Sequence, residues 1–295
     1  MTPPPDLLVG ELLPLLRRFC AGEHGIALGG SHAKACADEQ SDVDVYLFSR
    51  GALPGARRRE LVEETLGPAS EAVSWGADEP FVQGGTDFVH RGVRVECWLR
   101  SAAAVEGTLA ACVEGRIRRE PAVWTVMGFF DYVALADVRS MRVVEDPHGM
   151  LARWKDAVAA YPEPLRRAVL GRFMAEAAFW PENFHYRSAV ERADVIYTSG
   201  IVQQTLHSLI QVAFALNREY FPGEKKLAVA LAKLPALPEA FAPRVQALLC
   251  PGRDPGVAEL REQRRELAAL MAELRGMVEA EGREADAACA PGAEA

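Results

Sequence analysis

The sequence predicts an α+β protein, with an N-terminal domain built on a mixed β-sheet with flanking helices and an all-α helical-bundle domain after it. Three observations predict this. Strand patterns alternate with helix patterns over the first hundred residues, whereas from about Ala102 the apolar periodicity is mostly helical. The chain has 295 residues, 49% hydrophobic and 25% charged, a globular balance with length enough for two domains.

Taken in order, residues 6–20 read as a helix, with Leu8, Leu12 and Leu16 among the leucines of a broad apolar face. Gly25 to Leu28 is a short strand running into Gly29-Gly30, and Ser31 to Ala37 can start a helix. Val43 to Phe48 alternates as a strand, and Arg57 to Leu66 is a helix stopped by Gly67-Pro68. Glu71 to Trp75 is a further strand, and Thr86–His90 with Val93–Leu99 form a hairpin about Arg91-Gly92. Helices follow over 102–116, 121–137, 148–160, 164–179, 187–218, 224–233, 238–249 and 256–281, with a strand at 141–144 returning to the sheet edge. The expected domains are 1–146 and 147–282. Residues 283–295 form a tail rich in Ala, Glu and Gly, with little apolar surface to bury and an expectation of disorder.

Composition narrows the function. The net charge is −8, so the chain gains nothing overall from phosphate attraction, which disfavours nucleic acid as a partner. The six cysteines form no C-x-x-C pair and read as reduced thiols of a cytoplasmic protein rather than zinc ligands. No stretch has the ~18 apolar residues of a membrane span, and no signal peptide is visible. A monomer or homodimer is expected.

The chemistry gathers at the N-terminal domain. Asp42 and Asp44 are one residue apart on a strand, so their carboxylates share a face while Val43 and Val45 point to the core. Two adjacent carboxylates repel unless a cation lies between them, and hard oxygen ligands suit Mg²⁺. Ahead of them, Gly29-Gly30-Ser31 ends a strand where backbone N–H groups and a hydroxyl can hold phosphate oxygens. His32 and Lys34 sit near this loop, and Asp38 and Glu39 fall in an exposed turn.

Gly29-Gly30-Ser31, ten intervening residues and Asp42-Val43-Asp44 in an apolar strand resemble the signature of the polymerase-β-type nucleotidyltransferases. That family adds a third carboxylate from a later strand, and Glu96 in Val93-Arg94-Val95-Glu96 matches its place, as a metal ligand or as the base for an acceptor hydroxyl. Asp87, on a neighbouring strand, reads as structural. The layout resembles aminoglycoside and lincosamide nucleotidyltransferases, in which a helical domain adds a phosphate-contacting lysine. Here Lys225 or Lys226 fits that role, because two lysines in a helix's first turn oppose the macrodipole. Tyr220 and Phe221 read as core anchors. Glu182, Asn183, His185, Tyr186, Tyr197, Gln203, Gln204 and His207 either line a cleft or serve the helical fold.

The resemblance implies transfer of a nucleoside monophosphate, AMP from ATP or the equivalent from another NTP, to a hydroxyl of a small molecule such as an antibiotic. Mg²⁺ would be held by Asp42, Asp44 and Glu96, and the phosphates by Gly29, Gly30, Ser31 and Lys225 or Lys226. Two alternatives are a protein nucleotidyltransferase of antitoxin type and a noncatalytic nucleotide-binding sensor module.

Overall fold

The computed structural model describes residues 4–39, 41–76, 82–122 and 125–289. The expected α+β class is what the chain adopts: a mixed six-stranded sheet in the first part and a helical C-terminal region. Two compact units result, one of residues 1–114 and 130–160, the other of 115–129 and 161–295. The division therefore does not fall at 146/147: residues 147–160 stay with the sheet, and 115–129 join the helical unit.

In the first unit, helix α1 (Pro5–Arg17) opens with proline at a position whose N–H needs no intrahelical partner. Strand β1 (Cys20–Leu28), the single turn α2 (Gly30–Ala33), strand β2 (Val43–Ala52) and helix α3 (Gly55–Leu66) follow. Then come β3 (Val73–Trp75), β4 (Gly85–His90), β5 (Val93–Ser101) and α4 (Ala102–Val113). Strand β6 (Arg119–Glu120) belongs to the helical unit and β7 (Phe129–Phe130) falls at the division; of the two only β7 lies within the helix expected over 121–137, of which α5 begins only at Val133 and ends at Ser140, with residues 123 and 124 outside the described residues. Strand β8 (Arg142–Glu145) and helix α6 (Met150–Ala157) complete the unit.

The sheet order is β3-β4-β5-β2-β1-β8, so β8 does return to an edge, antiparallel to β1. The central pair β2 and β5 is parallel, with Val43 opposite Val95 and Asp44 opposite Glu96; β1 and β4 flank that pair antiparallel. Alternation places Val43, Val45, Leu47, Val95, Cys97 and Leu99 on one face, in a core with Leu8, Leu12 and Leu16 of α1 and Leu61 and Val62 of α3. On the other face Phe48 meets Trp154 of α6 edge-on at 5.3 Å.

In the second unit, α7 (Glu163–Phe179), α8 (Phe184–Glu191), α9 (Val195–Leu216), α10 (Leu227–Leu231), α11 (Phe241–Leu249) and α12 (Val257–Cys289) gather about α9, which packs against α7, α8, α11 and α12. Its 22 residues carry no Asp, Glu, Lys or Arg, as befits a helix buried over most of its length. The single helix expected over 187–218 is two, because Ala193 turns left-handed (φ 49°) and Asp194 caps α9 through the Tyr197 N–H. The tail expected to be disordered from 283 is helical through Cys289, since α12 runs on; residues 290–295 lie outside the described residues. Among the described residues no helix is long and apolar enough to cross a membrane.

Candidate active site

Parallel pairing of β2 with β5 brings the predicted carboxylates into one row. Asp44 is the register partner of Glu96, and Glu96 in turn partners Asp87 on β4. Side chains in register on adjacent strands share a face, while Asp42, the residue just before β2 begins, is tied to the row by its 4.0 Å contact with Arg94. Asp87, read from sequence as structural, thus stands in the row. Its carboxylate accepts a hydrogen bond from Trp75 Nε1 (2.8 Å), and burial raises its pKa against the pull of Trp75 and Arg94.

Arg94, two residues before Glu96, puts its guanidinium among these acids. It lies 3.4 Å from Asp87, 3.5 Å from Glu96 and 4.0 Å from Asp42. This cation answers part of the repulsion that four neighbouring acids create. It also draws Asp42 and Glu96 toward itself. Among the described residues no three Asp, Glu, His or Cys side chains form a group closed enough to hold a metal ion. The expected ligands Asp42, Asp44 and Glu96 therefore gather about one row without converging on one point.

The glycine pair is explained by contact. A Cβ on Gly30 would lie 1.7 Å from Asp44 Oδ2, and Gly30 has φ +55°; a Cβ on Gly29 would lie 2.2 Å from the Tyr46 ring. Only residues without side chains let the β1–α2 turn press against Asp44 and Tyr46. The N–H groups of the pair differ from expectation. Gly29 N–H donates to the Asp44 carbonyl (2.8 Å) and Gly30 N–H to the Tyr46 hydroxyl (3.1 Å), because the turn closes onto β2. Both serve the fold rather than face a phosphate. Ser31 stands in the first turn of α2, partly buried.

Beneath this turn lies a buried charge network that sequence reasoning missed. Arg100 stacks over the Tyr46 ring at 4.5 Å and pairs with Asp137 of α5 at 2.8 Å; Lys34 reaches the other Asp137 oxygen at 3.2 Å. Burial opposes the Asp137 charge, yet Lys34 and Arg100 outweigh it and hold the carboxyl below its ordinary range. Burial, and then the Asp137 charge, push the Tyr46 hydroxyl far up, so it stays protonated. Lys34 is thereby fixed to protein. Asp38 caps its own exposed turn with Ser41.

The helical unit corrects one expectation. Lys225 and Lys226 lie in the turn before α10, exposed, with Lys226 left-handed at φ 56°. They are not in a helix's first turn, so the dipole argument for an anion there does not apply. Just ahead of them the Glu224 carboxylate accepts the N–H groups of Val126 and Met127 at 2.7 and 2.6 Å. Tyr220, stacked on Tyr161, and Phe221 are core residues as expected. Asn183 caps α8 through His185 N–H and Tyr186 is fully buried, while Tyr197, Gln203 and Gln204 are exposed. His207 is buried against Phe221 and 3.9 Å from Glu224; burial, then the Arg119 charge, pull its pKa down to about 4.

Residues 130–227 match a family described as "Domain of unknown function (DUF4037)". No curated protein matches. One similar solved structure is a nucleotidyltransferase-like protein from Exiguobacterium sibiricum, at 12% identity and a TM-score of 0.46, covering 91% of this chain and 74% of that one.

Proposed function

We propose that the protein is a metal-dependent nucleotidyltransferase acting on a hydroxyl of a small molecule. The observation that carries the reading is the in-register pair Asp44–Glu96, with Asp42 two residues ahead and Gly30 pressed against Asp44. The donor chemistry fits Mg²⁺: carboxylate oxygens on one face, in a place that already holds a guanidinium. Asp42, Asp44 and Glu96 would hold the ion, with Asp42 and Glu96 turning from Arg94. When bound, it supplies charge neutralisation at the nucleotide's phosphates.

The chain's own groups do the rest. Ser31 offers a hydroxyl to phosphate oxygens beside the row. Where Glu96, partly exposed on the same face, acts as the base instead of as a metal ligand, it accepts the proton as the acceptor oxygen attacks the α-phosphorus and the bond to pyrophosphate breaks. The Lys34–Asp137–Arg100–Tyr46 network keeps the turn that carries Gly30 and Ser31 in place. ATP as donor and an antibiotic as acceptor belong to the finer form of the reading.

The test is a pyrophosphate-release screen with Mg²⁺, pairing the four nucleoside triphosphates with aminoglycosides, lincosamides and other hydroxylated small molecules. Turnover is expected, and Asp42→Asn or Asp44→Asn abolishes it with the fold intact. Undiminished release in both variants sinks the reading. The ion pairs of Arg94 favour one second reading, a noncatalytic nucleotide-binding module. Calorimetry showing ATP binding with no product over the same panel selects it.

A further inference from the structure

At the opposite end of the β2–β5 ladder lies a depression of about 490 Å³, lined by Ser49, Arg58, Ser74, Trp75, Gln83 and Ser101 among others. The Ser49–Ser101 row is five residues along from Asp44–Glu96, about 17 Å at ~3.3 Å per residue. The depression sits beyond the carboxyl ends of two parallel strands, where open sheets leave a crevice for ligands.

Among the described residues its lining is one-sided in charge. Arg50, Arg58 and Arg100 contribute to it, and among the described residues no Asp or Glu does. Arg50 has Glu23 and Glu106 as partners, and Arg100 has Asp137. Arg58 is 5% exposed and has no carboxylate partner among the described residues. Its guanidinium instead donates to neutral oxygens: Thr86 Oγ1, the Leu53 carbonyl and the Gly85 carbonyl. Three bonds leave two of its five N–H donors. A buried guanidinium held by neutral groups alone is costly to the fold. Burial accordingly lowers its pKa.

The helix above the depression points the same way. Pro54, Gly55 and Ala56, at the start of the 12-residue α3, line it. That N-terminus has no side-chain cap and no acid in its first turn. Its early arginines oppose the macrodipole, yet Arg57 and Arg59 find glutamates on the same helix while Arg58 turns inward. A Cβ on Gly55 would come within 3.1 Å of Ser74 and 3.7 Å of Arg58 Nη2, so glycine keeps this mouth open.

We infer that this depression is a second binding site, for the phosphate or carboxylate group of a small molecule, held by Arg58 and the α3 N-terminus. Either oxyanion suits a guanidinium's paired donors.

The test is thermal unfolding of the full chain at pH 7 in sodium phosphate, in sodium acetate and in sodium chloride, at matched ionic strength. Wild type is expected to gain about 2–4 °C over chloride at roughly ten times the dissociation constant, in phosphate, in acetate or in both. The arm that responds identifies the group. Arg58→Gln should lose the gain. Because Arg58 also ties three backbone and side-chain oxygens, Ala56→Asp provides a variant that keeps them. An aspartate in the exposed first turn suits the helix dipole and supplies the missing anion from within, so its baseline rises and its anion response disappears. A wild-type response in neither anion, or one equal to that of Ala56→Asp, overturns the inference.

Discussion

Replacing Gly30 by alanine isolates what the turn does for the carboxylate row. Gly30 is left-handed at φ +55°, and an added Cβ would fall 1.7 Å from Asp44 Oδ2. The backbone term is about 1–2 kcal/mol for a non-glycine residue in that region. The contact term is separate: the oxygen must retreat by about 1.3 Å to reach the 3.0 Å below which real Cβ contacts essentially never occur. Gly22 is the control. It is also left-handed, at φ +77°, but its Cβ would meet only Arg50 Cβ at an ordinary 3.8 Å. Gly22→Ala should therefore lose about 1–2 kcal/mol in urea unfolding followed by tryptophan fluorescence. Gly30→Ala should lose at least that. A displacement of roughly 1 Å at a reacting group costs up to ~100-fold in rate, so pyrophosphate release should fall by that order in Gly30→Ala and stay at the wild-type level in Gly22→Ala. Equal stability and equal turnover in the two variants would refute the claim that Gly30 positions Asp44.

Three further outcomes follow from other sites. Asp137→Asn should cost about 3–5 kcal/mol by leaving Arg100 buried without its counter-ion. Because the folded Asp137 pKa is depressed, its stabilisation is present above the unfolded carboxylate value and is lost as pH falls through the folded one. Acid titration of urea midpoints should show that loss in wild type and not in the variant. His207 has the opposite origin: its pKa is lowered to about 4, so the neutral ring is favoured and stability falls as pH drops from about 6.5 toward 4, by no more than about 3 kcal/mol. His207→Gln should flatten that limb, and an unchanged limb assigns it to other groups. Ala193→Gly removes a left-handed alanine at the α8–α9 joint and should raise the unfolding free energy read from urea midpoints by about 1 kcal/mol or less after the glycine's greater unfolded freedom is counted.

Particular residues show how much was legible in the sequence. Asp44 and Glu96 could each be placed on the face away from the core because strand alternation has period 2, whereas Asp42 lies just outside β2. That Asp44 stands directly opposite Glu96 is a matter of register, which pairing sets and local sequence does not. Asp137 gave no signal at all: its meaning comes from Lys34 and Arg100, 103 and 37 residues away along the chain. The break at 193 was hidden because alanine occupies a position where glycine usually announces a helix stop. The same holds for Arg218, left-handed just past the end of α9. The lysine pair misled for a related reason. Pro222-Gly223 marks the turn, but the turn runs on through Lys226, and an argument from helix polarity fails when the helix starts at Leu227.

The β2–β5 ladder ties two chemistries to one alignment. Asp44–Glu96 and Ser49–Ser101 are rungs of the same parallel pairing. A one-residue insertion near the start of β5 that slipped this pairing would set Asp44 against Val95 and Ser49 against Arg100, turning both rows inside out in a single event. Point substitutions can alter the acidic end and the arginine-lined end separately; changes of length cannot. Changes of length that preserve either end would therefore be confined to the loops on either side of this strand pair.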